Sequence, residues 1–188
     1  MAEQIYTPVF RLSFPQLWVA KSYQKKPPKF SATLLFSKDT DLSRLKAAAK
    51  AAAIEKFGVN LPPNIKSPFR DGAEKANLEG YGPEVIFFSA TSGEDRPPLV
   101  VDSQGNKVMD RSAFYAGCYC DAIVSPWCYD HGETGNKGVG FNLLAIRKVK
   151  DGPSFGGGLA DLSLFEELPE GAAEGSAPAA STGDDFLS

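Results

Sequence analysis

Cysteine and histidine are scarce in this sequence, with three cysteines and one histidine among 188 residues. A small and odd number of cysteines argues against a disulfide framework and is typical of a reducing compartment. One histidine leaves little material for acid–base catalysis, and Ser103 and Ser125 lie in no nucleophile motif. We therefore expect neither enzymatic activity nor a cofactor. Four aspartates follow no shared pattern that would indicate a two-metal nuclease: Asp102, Asp110, Asp121 and Asp130.

Long hydrophobic runs are also missing. No apolar stretch approaches the roughly 20 residues that a transmembrane helix needs. The first residues, Met1 to Gln4, contain no basic patch followed by an apolar segment, as a secretion signal would. We therefore expect a cytoplasmic protein without a membrane partner.

Basic residues are absent from the last part of the chain. All 20 lysines and arginines lie within residues 1–150, together with 15 acidic residues, which gives a charge of +5 there. Residues 151–188 hold the other 8 acidic residues and no base, which gives −8. This asymmetry indicates a basic body and an acidic end, although solubility alone would also account for it.

Alternating apolar residues predict a chain made mainly of strands. Phe10, Leu12 and Phe14 share one face of a first strand, and Pro15 is expected to interrupt it before a second strand at 17–20. Further strands are predicted at 30–36, 85–90, 99–102, 118–125 and 139–149. Phe10, Phe14, Phe36 and Phe141 belong to the core by this pattern.

One main helix is predicted between an N-cap at Thr40 or Asp41 and a C-terminal glycine, Gly58. The helix would follow the third strand, and the OB barrel carries its helix between strands three and four. We therefore expect a mainly β fold with one helix (α+β), an OB-like β-barrel with insertions. A β-sandwich is the main alternative, because strand pattern alone rarely fixes topology.

The composition changes near residue 151. Residues 170–183 are Gly, Ala, Ser, Pro, Thr and Glu without an aromatic residue, and such segments bury too little surface to order themselves. We expect a binding domain over residues 1–158 and a disordered acidic C-terminal tail over residues 159–188. Its tip, Asp184, Asp185 and Phe186, has the charge and the aromatic anchor to dock on partner proteins.

Aromatic and basic residues alternate in the expected loops. Unpaired bases stack on aromatic rings while lysine and arginine neutralise phosphates, so this interleaving is typical of single-stranded nucleic-acid binding. Large rings are also often core residues. The candidate phosphate-binding residues are Lys25, Lys26, Lys29, Arg70, Lys75, Arg111 and Lys137, and the candidate stacking residues are Tyr23, Tyr81, Tyr115, Trp127 and Tyr129.

One cluster in the sequence holds four possible zinc ligands, Cys118, Cys120, Cys128 and His131. The spacing lacks the paired C-x2–4-C pattern of structural zinc sites, so buried structural cysteines explain it better and no bound metal is expected.

Five short motifs follow one another along the chain: KFSATLLF at 29–36, RDG at 70–72, FYAGCY at 114–119, NKGVGF at 136–141, and DG at 151–152 with FGG at 155–157. In order and spacing they resemble the tailed-phage single-stranded-DNA-binding proteins once classed as a domain of unknown function. The resemblance implies an OB fold, cooperative or oligomeric coating of single strands, and an acidic C-terminus that regulates binding or recruits replication and recombination proteins. It implies no enzymatic activity, and it implies the cytoplasm of a bacterial host.

Two other functions stay open on the residues alone. One is a structural or assembly protein of the virion, a β-sandwich that uses its aromatic residues at protein interfaces. The other is a metal-dependent nuclease.

Overall fold

The fold is described by a computed structural model over residues 3–155. Within this range the chain forms nine strands, one α-helix, and two short 3-10 helices at Gly72–Lys75 and Arg111–Ala113. The helix is α1 (Ser43–Phe57), and the strands are β1 (Ile5–Tyr6), β2 (Phe10–Lys21), β3 (Lys29–Ser37), β4 (Ile65–Lys66), β5 (Arg70–Asp71), β6 (Val85–Gly93), β7 (Leu99–Val101), β8 (Tyr119–His131) and β9 (Asn136–Lys150).

Five strands close into a barrel. Each of β2, β3, β6, β9 and β8 pairs with the next, and β8 pairs back to β2. The β6–β9 pairing is parallel and the other four are antiparallel. Such a five-stranded Greek-key barrel is the architecture of the OB fold, so the predicted fold class is confirmed. The β-sandwich alternative is wrong, because all nine strands belong to one sheet that closes on itself.

The strand β2 continues through Pro15 instead of ending there. Its pairing with β3 shifts between Ser13 and Gln16, and Phe14 has a φ of 44°. A bulge therefore absorbs the proline, which an unbroken ladder would exclude. The strands expected at 9–14 and 17–20 are therefore one strand, β2. The helix α1 follows β3, the third strand of the chain, as predicted, because the short strand β1 precedes β2.

The bulge also changes where Phe14 points. Its side chain is 51% exposed, so the prediction that Phe14 belongs to the core is wrong. Phe10, Phe36 and Phe141 are buried in the main core, as predicted.

The helix α1 packs against the barrel strands β8 and β9. Its N-terminal residue is preceded by Leu42, which makes no side-chain cap, whereas Asp41 Oδ1 accepts a hydrogen bond from the Ser43 N–H (2.9 Å). Thr40 is not the cap. At the other end Gly58 has a φ of 91° and its N–H donates to the carbonyl of Ile54, as predicted for this glycine.

The segment expected to be a long loop, 59–84, contains the two-residue strands β4 and β5 and the first 3-10 helix. The strand β5 pairs with β6, whereas β4 pairs with β9. Leu35 of β3, Tyr81 and Phe87 of β6 form a second apolar cluster. No helix within residues 3–155 is long and apolar enough to cross a membrane. The predicted boundary at 158 and the tail 159–188 lie outside the described residues.

Candidate nucleic-acid interface

Three aromatic side chains form a row on the outer side of β8. The ring centroids of Trp127 and Tyr129 lie 5.6 Å apart, and those of Tyr129 and His131 also lie 5.6 Å apart. These residues alternate along the strand with Cys128, which packs against the core beside α1. Since successive residues of a strand point to opposite faces, the row faces away from the core. We call Trp127, Tyr129 and His131 the aromatic row.

Two glycines of β9 leave room for this row. Gly140 pairs with Trp127 and Gly138 pairs with Tyr129. A Cβ atom added at Gly140 would lie 2.8 Å from Trp127 Nε1, and one at Gly138 would overlap the Tyr129 ring. The two rings therefore lie across the β9 backbone at positions where other side chains would exclude them. Two rings of this kind, lying flat on a strand, form a surface suited to stacking of unpaired bases.

A cation and a polar strip lie beside the row. Lys29 Nζ is 5.8 Å from the Trp127 ring centroid. On the adjoining outer face of β3 and β6, the hydroxyls of Thr33 and Ser89 are 3.1 Å apart, and Ser31 pairs with Thr91. These side chains are small and polar, so no large ring or long chain occupies the face between β3 and β6 at these positions.

Phe14 lies at the β2 side of the same face. Its ring centroid is 6.5 Å from that of Tyr81, and Lys75 Nζ lies 5.8 Å from the Phe14 ring. Lys75 is half-buried and also lies 5.3 Å from the Phe87 ring. Phe14 and Lys75 thus form a second pair of a ring and a cation, like Trp127 and Lys29. The two pairs lie on opposite sides of the polar strip.

The hairpin between β2 and β3 presents three of the predicted residues, Tyr23, Lys25 and Lys26, which are all exposed. Gln24 and Lys25 both have positive φ, and Lys26 N donates to the Tyr23 carbonyl (3.0 Å). This is the geometry of a tight type I′ hairpin turn. Tyr23 is 71% exposed, so its ring is free to meet a ligand.

Burial argues against a stacking role for Tyr81. The side chain is 9% exposed, and its hydroxyl donates to Ser13 Oγ (3.0 Å). Burial also raises the pKa of the Tyr81 phenol above its usual value. The Tyr81 ring packs against those of Phe14 and Phe87, with centroids 6.5 and 5.1 Å away. The prediction that Tyr81 is a stacking residue is therefore corrected, and Tyr81 is a core residue.

Tyr115 is likewise engaged within the protein. Its hydroxyl donates to Asp151 Oδ1 (2.9 Å) and accepts from the Gly152 N–H (3.1 Å). Beside it, the Arg11 guanidinium donates to the carbonyls of Gly117 (3.1 Å) and Pro153 (2.5 Å). These bonds hold the segment 151–155 against the barrel, which assigns Tyr115 an anchoring role instead of the predicted stacking role.

The predicted phosphate-binding residues do not all share one surface. Lys137 pairs with Asp130 (3.3 Å) and lies 5.8 Å from the Phe57 ring, so it faces α1 and not the aromatic row. Arg70 is held by Glu74 (2.6 Å), which reduces its availability to a ligand. Arg111 is exposed on the second 3-10 helix and makes no ion pair within residues 3–155.

Two of the three cysteines lie in the protein interior, and Cys128 is half-buried. Cys118 and Cys120 are fully buried with their Sγ atoms 3.6 Å apart, whereas His131 is exposed on the other face of β8. Across residues 3–155 no three potential metal ligands converge. Since His131 lies on the opposite face of β8 from Cys120 and Cys128, it cannot complete a tetrahedral site with them.

Two parts of this surface escaped the sequence reasoning. The apolar alternation assigns Phe14 to the core, and Gly138 and Gly140 enter the sequence analysis only as part of the motif NKGVGF at 136–141. The usable signal was the spacing Gly-Val-Gly in β9 opposite Trp-Cys-Tyr in β8, two paired strands with complementary bulk.

Comparison with known proteins gives the family. The family model described as "Enterobacter phage Enc34, ssDNA-binding protein" matches residues 3–176. The protein p50 of Acyrthosiphon pisum secondary endosymbiont phage 1 is 33% identical over 172 residues, which cover 84% of this chain and 90% of that protein.

Solved structures show the same fold. The single-stranded-DNA-binding protein of bacteriophage Enc34 in complex with ssDNA has a TM-score of 0.70 at 21% identity, covering 81% of this chain and 89% of that one. For gp2.5 of bacteriophage T7, also a single-stranded-DNA-binding protein, the TM-score is 0.59 at 21% identity, covering 89% and 97%. The family is described by single-stranded-DNA binding, in agreement with the expectation of a non-enzymatic chain. The chain belongs to the family of phage single-stranded-DNA-binding proteins represented by that of Enterobacter phage Enc34.

Proposed function

We propose that this protein binds single-stranded DNA along the outer face of β3, β6, β9 and β8. The observation that carries the proposal is the aromatic row, with Trp127 and Tyr129 lying over glycines and Lys29 beside them. Family membership supports the same ligand. We assign stacking to Trp127, Tyr129, Phe14 and Tyr23, and phosphate contacts to Lys25, Lys26, Lys29 and Lys75.

Binding of this kind depends little on base sequence. Every base has a π-face, so stacking on Trp127 and Tyr129 stabilises any of them by about 1–3 kcal/mol per base. Lysines contact phosphates as point charges without reading bases. The hairpin tip with Lys25 and Lys26 adds such charges at one end of the surface. The protein would thus coat single strands as they are exposed.

The setting we propose is phage replication or recombination in the cytoplasm of a bacterial host. The acidic tail, residues 159–188, would regulate binding by competing with phosphates, or recruit replication and recombination proteins through Asp184, Asp185 and Phe186. Coating by several copies, as a homo-oligomer or cooperatively, is part of the same proposal. The alternatives of a virion assembly protein and a nuclease receive no support from the family match.

Filter binding of single- and double-stranded oligonucleotides at two salt concentrations tests the function. We expect preference for the single strand, similar affinity for oligo(dT) and oligo(dC), and affinity that falls steeply with salt. For single strands the slope of log K against log[salt] is about −0.7 for each phosphate contacted. Salt-insensitive binding, or equal affinity for duplex DNA, would contradict the proposal.

A further inference from the structure

A groove runs between α1 and the segment 61–69, on the other side of β9 from the aromatic row. Its volume is about 470 Å³. Val139 forms part of its floor and alternates along β9 with Gly138 and Gly140, which lie under the row. The groove is therefore separate from the proposed DNA surface. We call it the α1 groove.

The floor of the α1 groove is apolar. Four helix residues at positions i, i+3, i+4 and i+7, which share one face, line it: Lys46, Ala49, Lys50 and Ala53. The two alanines are small and leave space above the helix, and Ile65 and Val139 complete the floor. Leu61 at the edge is 36% exposed, so apolar surface at the mouth of the groove is in contact with water and a ligand would cover it.

The rim of the α1 groove is basic. Lys46, Lys50 and Lys66 line it, and no acidic residue does so within the described range. None of the three lysines forms an ion pair with a carboxylate of residues 3–155. Lys46 Nζ lies 6.0 Å from the ring of Phe69, above the floor. Three unpaired cations around an apolar slot are complementary to a ligand that combines negative charge with an apolar side chain.

We propose that the α1 groove docks an acidic peptide segment of a partner protein, which inserts an aromatic or aliphatic side chain between α1 and residues 61–69. An amphipathic segment in a groove beside a helix is a recurring mode of peptide recognition. Nucleic acid fits less well, because the floor is aliphatic. The ring of Phe69 packs edge-on against Phe88 and Phe141, at 5.5 and 5.9 Å, and is not free to stack on a base. The proposal does not rest on the DNA-binding function.

The test uses the full chain and a fluorescein-labelled peptide of composition Gly-Asp-Glu-Phe-Leu-Asp-Gly, followed by fluorescence anisotropy. We expect saturable binding, with a Kd below about 1 mM at low salt. Replacing Phe-Leu by Ala-Ala, or the acids by their amides, should weaken it at least about tenfold, a loss of about 1.4 kcal/mol.

Charge reversal in the groove provides the decisive comparison. K50E should weaken peptide binding about fivefold or more and K46E/K50E further, and a Lys-Lys-Phe-Leu peptide should regain binding to the double variant. R44E is the matched control, since Arg44 lies about 160° around the helix from Lys46 and its replacement by glutamate changes the charge by the same amount.

Absence of peptide binding, or equal loss of peptide affinity in K50E and R44E, would overturn the proposal. Loss of oligo(dT) affinity in K50E without peptide binding would assign the groove to DNA instead.

Discussion

At the scale of single residues, Phe14 is the clearest case in which local backbone geometry changes a residue's role. Its position in the apolar alternation of β2 places it inside, but its positive φ at the bulge turns the ring to the surface. A half-exposed ring beside Lys75 is a stacking candidate that contributes little to the core.

We predict that Phe14→Ala weakens oligo(dT) binding by about 1–3 kcal/mol, the contribution of one stacked base. Exposure of the ring means that the melting temperature should change little. Fluorescence titration at constant salt measures the affinity, and a thermal melt is the control. An unchanged affinity for oligo(dT) would mean that Phe14 does not belong to the DNA-binding surface.

Tyr81 gives the opposite prediction. Tyr81→Phe removes the hydrogen bond to Ser13 Oγ in a buried cluster and should cost about 1 kcal/mol of unfolding free energy, with unchanged oligo(dT) affinity. Urea unfolding and the same DNA titration measure the two quantities. A marked loss of affinity with normal stability would restore the stacking role.

Alkaline pH should act on Tyr81 with a definite sign. Burial raises the pKa of the folded-state phenol above its ordinary value of 10.0, so the folded state holds this proton more tightly than the unfolded state. The contribution of Tyr81 to stability is therefore complete below pH 10 and is lost as the pH rises through the raised pKa.

The residue scale also shows what a sequence pattern can and cannot specify. Phe10, Phe36 and Phe141 follow the alternation and are buried, as predicted. Tyr81 and Tyr115 lie in irregular segments, where no periodicity indicates the side to which a ring points. Their roles depend on partners 68 and 36 residues away, Ser13 and Asp151, which only the fold brings near.

At the scale of elements, β9 positions the aromatic row by lacking side chains at two places. A Cβ at position 140 would lie 2.8 Å from Trp127 Nε1, too close for the indole to keep its place. The β8–β9 pairing is long, with strands of 13 and 15 residues, so the ladder should survive a small change there.

We predict that Gly140→Ala displaces the indole and weakens oligo(dT) binding by about 1 kcal/mol or more, while the fold is kept. Gly132→Ala in the hairpin tip is the matched control, because a Cβ there meets no atom within 4 Å. Titration with oligo(dT), followed by Trp fluorescence, measures the affinity of each variant. Equal affinities for both variants would mean that the flat placement of the ring is irrelevant to binding.

Most elements were predictable because alternation and helix caps are local signals. The strands at 30–36, 85–90 and 139–149 and the end of the helix at Gly58 were found in this way. The continuity of β2 through Pro15 could not be predicted in this way. A proline usually marks the end of a strand, and here a bulge that the sequence does not reveal accommodates it. The two-residue strands β4 and β5 are too short to leave a periodic pattern.

At the scale of the whole molecule, charge is divided between a basic body and an acidic end. Residues 159–188 carry seven acidic residues and no basic one. Phosphates and carboxylates compete for the same lysines, so the acidic end should oppose DNA binding.

We therefore predict that deleting residues 159–188 tightens oligo(dT) binding, with the largest gain at low salt, where electrostatic competition is strongest. A variant with the seven acids changed to amides, at constant tail length, is the control that isolates charge. Filter binding of the three proteins measures the effect. Unchanged or weaker affinity after deletion would contradict competition by charge.

The central claim is that unpaired bases stack on the outer face of the barrel at Trp127 and Tyr129. The most direct measurement is the affinity of the full chain and of W127A/Y129A for oligo(dT) at one salt concentration. Loss of two stacked rings predicts a decrease of about 2–6 kcal/mol in binding free energy, with the thermal melt as a check on folding. A folded double variant that binds oligo(dT) as tightly as the unaltered protein would contradict the account.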